Sequence, residues 1–259
     1  RASAILSGLV GSEMCIRDRS KFSRNNTLQS RRLPPSDTFE ERKRRNTICF
    51  KPDYNPCDLR VQVGYGVWPR FPYSIKENDV ILVPALFLNI FSNLNTAYDE
   101  LMNEMNYDEF CAWHGNNELD GTHWIMNDRS KCKDRSLLFH KVVDRIANYF
   151  NMDVHATRFN LYEKGDEWKP YHFDAAGIDP EKAKKQNITI GVSFGAERSI
   201  SFQHAKTGTT TEFVLQNSMC YGFGRKVNTT WRHGVPPKLN ETKGRISIIC
   251  WGFCNQNET

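Results

Sequence analysis

No stretch of this 259-residue chain approaches the roughly 20 consecutive apolar residues of a membrane-spanning helix, so no membrane partner is expected. Its eight cysteines include no Cys-x-x-Cys pair, and no Cys/His cluster has zinc-finger spacing, which argues against a structural zinc module or a redox dithiol. Cys250 and Cys254 lie closest together and no second pair complements them, so the set reads as reduced thiols of an intracellular protein, cytoplasmic or nuclear. Neither sign of charge dominates. The 35 basic and 30 acidic residues leave +5, which suits a nucleic-acid partner without requiring one. No internal repeat is evident. Among the Asn-x-Ser/Thr sequons, Asn187 opens a strand-like run and reads as chance.

What is present is ordinary for a folded chain: 39% hydrophobic and 25% charged residues, in a length that suits one sizeable domain. Residues 1–48 differ from the rest. Ala2 to Val10 is a short apolar stretch resembling part of a signal peptide, and a polar, arginine-rich segment without periodicity follows. This segment is expected to be disordered or non-native, with Arg42-Lys43-Arg44-Arg45 as a nuclear address, a nucleic-acid contact or a solvated charge run. The domain is expected over 49–259, as a monomer.

Within it, Pro84 to Met105 carries apolar residues at helical spacing, with Pro84 suited to a helix start. Asp134 to Phe150 repeats the pattern through Leu138, Val142, Ile146 and Phe150. After Asn151 the period becomes two: His155–Tyr162, Ile188–Phe194, Arg198–Gln203, Thr211–Leu215, Ser218–Phe223 and Arg245–Trp251 are short β-branched and aromatic runs. Helices first and strands later predict an α+β domain, a jelly roll with N-terminal helices packed on one sheet.

Three pairs at strand spacing carry the chemistry, because residues two apart on a strand share a face. His172 and Asp174 can take neighbouring positions on one metal, and His233, from a later strand, is the candidate third ligand. Two histidines and one carboxylate leave three positions of an octahedron open, which suits Fe(II) that must bind a bidentate co-substrate and O2. A lone His-x-Asp is weak on its own. Arg245 and Ser247 share a face of a strand that is apolar on both sides, so the arginine must meet an anion there: a buried Asp or Glu, or a bound dicarboxylate. Asn160 and Tyr162 form the third pair, placing an amide and a hydroxyl toward the same interior.

In that order, with Ile190–Gly195, Ser201–His204 and Trp231–Pro237 between and around them, these residues resemble the AlkB-like Fe(II)/2-oxoglutarate dioxygenases over roughly residues 60 to 253. The resemblance implies a double-stranded β-helix with His172, Asp174 and His233 as iron ligands. It implies Arg245, Ser247, Asn160 and Tyr162 as the 2-oxoglutarate site, with O2 the second co-substrate. It also implies hydroxylation of a C–H bond coupled to decarboxylation of 2-oxoglutarate, and demethylation where the carbon is an N-methyl group. One departure stands out: many members carry a second arginine six positions after the first, where this chain has Trp251. Co-substrate binding is expected to survive that change, and repair-type demethylation is put in question by it.

The expected substrate is an N-alkylated base in DNA or RNA, flipped out and stacked on aromatic rings, with Tyr65, Trp68 and Tyr73 as candidate stacking surfaces or as plain packing. A hydroxylase or demethylase of protein or a small molecule is the alternative enzyme, and a catalytically silent jelly-roll binding module the alternative of another class. His114 and His123 read as satisfied loop residues rather than a second metal site, and His204 as a strand residue beside the site.

Overall fold

The structure, a computed structural model, describes residues 14–15, 59–114, 123–126 and 130–254. Of the expected 1–48 segment only Met14–Cys15 is described; the Arg42–Arg45 run and the boundary at residue 49 lie outside.

The described strands form two sheets. The larger runs in the order β1 (Met14–Cys15), β4 (Phe110–His114), β5 (Trp124–Met126), β6 (Met152–Tyr162), β13 (Arg245–Cys254), β8 (Ile188–Gly195), β11 (Met219–Gly224), β3 (Asp79–Val83), β2 (Arg60–Val63). The smaller is β10 (Thr210–Leu215), β9 (Arg198–His204), β12 (Trp231–Val235), β7 (Lys169–His172). From β6 onward the chain passes back and forth between them: β6, β8, β11 and β13 join the larger sheet, β7, β9, β10 and β12 the smaller. Four antiparallel strands, β6-β13-β8-β11, thus oppose four others, β10-β9-β12-β7. This winding is a double-stranded β-helix, the expected architecture.

Period-two alternation on three neighbouring strands creates the site. Phe159 and Leu161 of β6, Ile188, Ile190, Val192 and Phe194 of β8, and Ile246, Ile248 and Cys250 of β13 all join the core shared with the helices. Their alternates (Arg158, Asn160 and Tyr162; Thr189, Gly191 and Ser193; Arg245, Ser247 and Trp251) therefore face the smaller sheet. Antiparallel register then sets these residues in rows: Arg245 opposite Tyr162, Ser247 opposite both Asn160 and Ser193, Trp251 opposite Thr189. A second apolar cluster, including Ile200, Phe202, Tyr221, Phe223 and Trp231, fills the space between the sheets beside those rows.

Helix α1 (Ala97–Asn103), α2 (Lys131–Arg135) and α3 (Leu137–Phe150) precede β6. In α3, Phe139, Val142, Val143, Ile146, Tyr149 and Phe150 are buried at the expected spacing. The hydroxyl of Ser136 accepts from the Phe139 amide at its start, and Asn151, left-handed at φ 48°, ends it. No helix among the described residues is long and apolar enough to cross a membrane. Cys111, Cys132, Cys220, Cys250 and Cys254 are free thiols.

The expected helix over Pro84–Met105 is only partly formed. Ala85 is left-handed at φ 60°, and the Asn93 side chain accepts from the Asn95 amide to open a separate 3-10 turn, so α-helix begins at Ala97. Leu86, Phe87 and Phe91 still reach the core, from turns rather than from one helix face.

Glu167 pins the β6–β7 connection that delivers the metal-site strand. Its carboxylate accepts from the Trp124 indole N–H at 3.0 Å and the Glu163 amide at 2.6 Å. Burial pushes its pKa up to about 7, against the opposing pull of the Glu163 amide. Between about pH 4.5 and 7 the folded protein therefore retains a proton that the unfolded chain releases. The stability contributed by this group falls as pH rises through that window. Relative to wild type, Glu167→Gln should gain stability from pH 5 to pH 8, on the order of 3 kcal/mol at most, read as a rising Tm difference. A Tm difference independent of pH would refute the burial argument.

Candidate metal centre

His172 ends β7 and His233 lies directly across from it on β12, with ring centres 4.3 Å apart. Gly234 permits that approach, because a Cβ there would stand 2.7 Å from the Lys169 carbonyl oxygen. Asp174 follows β7 with an extended backbone, and its amide donates to Asn228 Oδ1 at 2.9 Å. The three side chains converge: Asp174 Oδ1 lies 3.5 Å from His233 Nε2 and 3.9 Å from His172 Nε2. One ligand atom from each lies within 4.8 Å of the others. No other such His/Cys/Asp/Glu group is found among the described residues.

Protonation at the centre suits a cation. His172 Nδ1 lies 2.9 Å from the Pro170 carbonyl oxygen, so Nδ1–H donates there and Nε2 keeps its lone pair, which is buried without a partner. Burial first, then the neighbouring His233 and Lys169, hold His172 well below its ordinary value and therefore neutral. For Asp174, burial alone would raise the pKa; the charge and hydrogen bond of His233, with help from His172 and Thr189, overcome it and keep the carboxylate ionised. Asp174 Oδ2 accepts from Thr189 Oγ1 at 2.7 Å and from Trp251 Nε1 at 2.9 Å.

A cleft opens on these residues, lined also by Asn160, Tyr162, Ser247, Trp251, Tyr221 and the apolar Ile200, Val235 and Ile249. Gly191 makes room for Tyr221, whose hydroxyl would lie 2.6 Å from a Cβ at that position. Arg245 lies behind Tyr162, outside the residues that line the cleft. It is 1% exposed, its Nε donates to Ser193 Oγ at 2.7 Å, and its guanidinium carbon lies 5.0 Å from the Tyr162 ring centre. Both its Nη atoms are buried without a hydrogen-bond partner. Of the two anions considered from sequence, the buried carboxylate partner is absent among the described residues. Asn160 shows the same shortfall: Nδ2 donates to the Ser247 carbonyl at 3.1 Å while Oδ1 is buried and unpartnered.

No protein-family model matches the chain, and no curated protein does. Among solved structures, a protein called OsALKBH1 is similar over 66% of this chain and 97% of its own, at 13% identity and a TM-score of 0.44. A Pseudomonas putida prolyl-4-hydroxylase is similar over 61% of this chain and 84% of its own, at 14% identity and a TM-score of 0.37. The fold assignment rests on strand order. The chain is a double-stranded β-helix with a His-Asp-His centre.

The β-helix brings six of the seven residues singled out for metal and co-substrate to the lining of one cleft, and the seventh, Arg245, stands just behind Tyr162. Tyr65, Trp68 and Tyr73 are not among the residues that line it. They stack edge to face with one another on a loop fastened to α3, where Arg145 Nη2 donates to the Gly66 carbonyl at 2.7 Å and the Tyr149 hydroxyl to that of Tyr65 at 3.0 Å. Trp68 packs on the helix-side core. His204 lies on β9 with Nδ1 3.0 Å from the Thr207 hydroxyl, away from the metal group. His123 is fully buried and stacks on Tyr162 at 4.8 Å.

Sequence reading missed Thr189, Ser193 and Lys169. The first two carried a signal: polar residues at i and i+4 of an otherwise apolar strand, around Gly191. Lys169, also in the cleft lining, has its ammonium 5.0 Å from the Trp113 ring centre. Burial, with Arg158 adding to it, lowers its pKa to about 7 while Asp174 opposes.

Proposed function

We propose that this protein is an Fe(II)- and 2-oxoglutarate-dependent dioxygenase. The observation that carries the reading is the pairing of two unmet demands across one cleft: a buried imidazole nitrogen with no partner beside an ionised carboxylate, and a buried guanidinium with two donors unmet. The first asks for a cation and the second for an anion. His172, Asp174 and His233 would hold the metal, and Arg245, Ser247, Asn160 and Tyr162 the 2-oxoglutarate. When bound, the ion supplies activation of O2, coupled to conversion of 2-oxoglutarate into succinate and CO2, with the second oxygen atom entering a substrate C–H bond.

The chain's own residues prepare that chemistry. Pro170 fixes the His172 tautomer, so no proton need leave Nε2 when a metal arrives. Asp174 contributes a single negative charge, so a dication there stays net positive and attracts a dicarboxylate. Arg245 takes the far carboxylate, since a planar fork of donors matches that shape. Asn160 Oδ1, Tyr162 and Ser247 complete the orientation, and Ile200, Val235 and Ile249 exclude water from the reacting carbon.

For substrate, we propose an N-alkylated base in DNA or RNA, where hydroxylation of the N-methyl carbon gives a product that loses formaldehyde. The net charge of +5 favours a polyanion. The placement of Tyr65, Trp68 and Tyr73 away from the cleft favours the second reading, a hydroxylase of protein or a small molecule. A panel of N-methylated oligonucleotides separates the two. Formaldehyde release at the rate of succinate formation supports the first. Steady 2-oxoglutarate consumption with no formaldehyde from any member supports the second.

A further inference from the structure

Trp251 stands where AlkB-like sequences often have a second arginine, and it is engaged. Its Nε1–H and the Thr189 hydroxyl converge on one atom, Asp174 Oδ2, at 2.9 and 2.7 Å. The two donors are direct cross-strand partners in the β13–β8 register, so the larger sheet reaches over to grip a carboxylate belonging to the chain that leaves the smaller one. Arg158 steadies the indole from β6, its guanidinium carbon 5.8 Å from the Trp251 ring centre. Meanwhile Asn228 holds the Asp174 backbone amide, and Oδ1 alone faces both imidazoles.

We propose that Trp251 and Thr189 are positioning residues that make Asp174 a one-oxygen ligand. With Oδ2 committed to two donors, a metal can take only Oδ1. The distinction matters for a site that must keep three octahedral positions open, because a carboxylate binding through both oxygens would occupy one of the positions 2-oxoglutarate and O2 need. Orientation of ligating carboxylates by hydrogen bonds from outside the coordination sphere is a general device of metal sites. Here the tryptophan offers an uncharged N–H where an arginine would bring a second cation.

The inference rests on the metal reading of His172, Asp174 and His233, and the test keeps the two apart. The full chain and its Trp251→Phe, Thr189→Val, doubly substituted and Trp251→Arg variants would be titrated with Co(II), without 2-oxoglutarate or turnover. The visible Co(II) band, which reports coordination number and geometry, would be followed together with affinity. Each single loss of a donor should weaken Co(II) binding about 10-fold and the double loss about 100-fold, with a shifted band. Trp251→Arg, which restores an N–H donor, should recover most of both. The partly exposed Trp251 site makes Trp251→Phe the informative variant should the double substitution not fold. Folded variants that bind Co(II) within about twofold of wild type, with an unchanged band, overturn the positioning role and leave the metal site intact. Wild-type protein that binds no Co(II) overturns the metal site itself.

Discussion

Proteins carrying His172→Ala, Asp174→Ala or His233→Ala should form succinate at no more than about one-thousandth of the wild-type rate. A bound metal supplies several kcal/mol of transition-state stabilisation, and each 1.4 kcal/mol is a factor of ten. The three atoms offered to the metal come from one strand end, the middle of the neighbouring strand and one turn, and only their convergence within 4.8 Å makes a site. Removing any one leaves two, which cannot hold an ion against water with the same geometry. Asp174→Asn is the more searching substitution. It keeps an oxygen in place for the Trp251 and Thr189 donors, yet removes the charge that balances the ion. Its succinate rate should fall with the alanine variants while its Tm stays near wild type. Wild-type succinate production in any alanine variant would remove the assignment.

Why these three residues were legible in sequence, while others were not, follows from periodicity. Asn160-x-Tyr162 and Arg245-x-Ser247 each announce a shared strand face by spacing alone, and the register brings the two faces together, whereas in His172-x-Asp174 the strand ends at His172 and Asp174 follows on extended backbone. The second half of the fold was legible for the same reason: β6, β8, β9, β10, β11 and β13 lie where alternation placed them, within a few residues at their ends. Ahead of β6 the same reasoning failed. Strand β3, Asp79–Val83, is a buried aspartate followed by the continuous apolar run Val80–Val83, so no alternation marked it as a strand. Leu86, Ile90, Leu94 and Tyr98 imitated a helical stripe, but a left-handed Ala85 and the Asn93 turn diverted the chain. The first is a backbone conformation and the second a local side-chain-to-backbone bond, and the spacing of apolar residues encodes neither. The aromatic loop is the third case. Tyr65, Trp68 and Tyr73 invite a stacking role by composition, yet their position depends on Arg145 and Tyr149, about 80 residues later, holding the loop's carbonyls.

Arg245 gives an effect of two signs. With Co(II) replacing iron so that no turnover occurs, Arg245→Met should weaken 2-oxoglutarate binding by roughly 30-fold or more, because losing a buried charge partner costs about 2–5 kcal/mol. Without co-substrate, the same substitution should raise Tm. In the wild-type protein the guanidinium is buried beside Ser193 and the Tyr162 face, and both Nη atoms lack acceptors among the described residues. A methionine replaces its stem with apolar volume and removes a desolvated charge, a change that is often stabilising by about 1–4 kcal/mol where a buried ionic group is exchanged. Saturating 2-oxoglutarate then reverses the order. At a hundred times its Kd, a ligand adds about 2.7 kcal/mol to wild type and little to a variant that binds it poorly. The melting curves of the two proteins should therefore cross in rank between the co-substrate-free and saturated states. A variant less stable than wild type without co-substrate would mean that the guanidinium contributes to the fold itself. An unchanged Kd would place the anion anchor elsewhere. The crossing separates the two because fold stabilisation by Arg245 would lower both curves, whereas a ligand anchor kept at a cost to stability lowers only the saturated one.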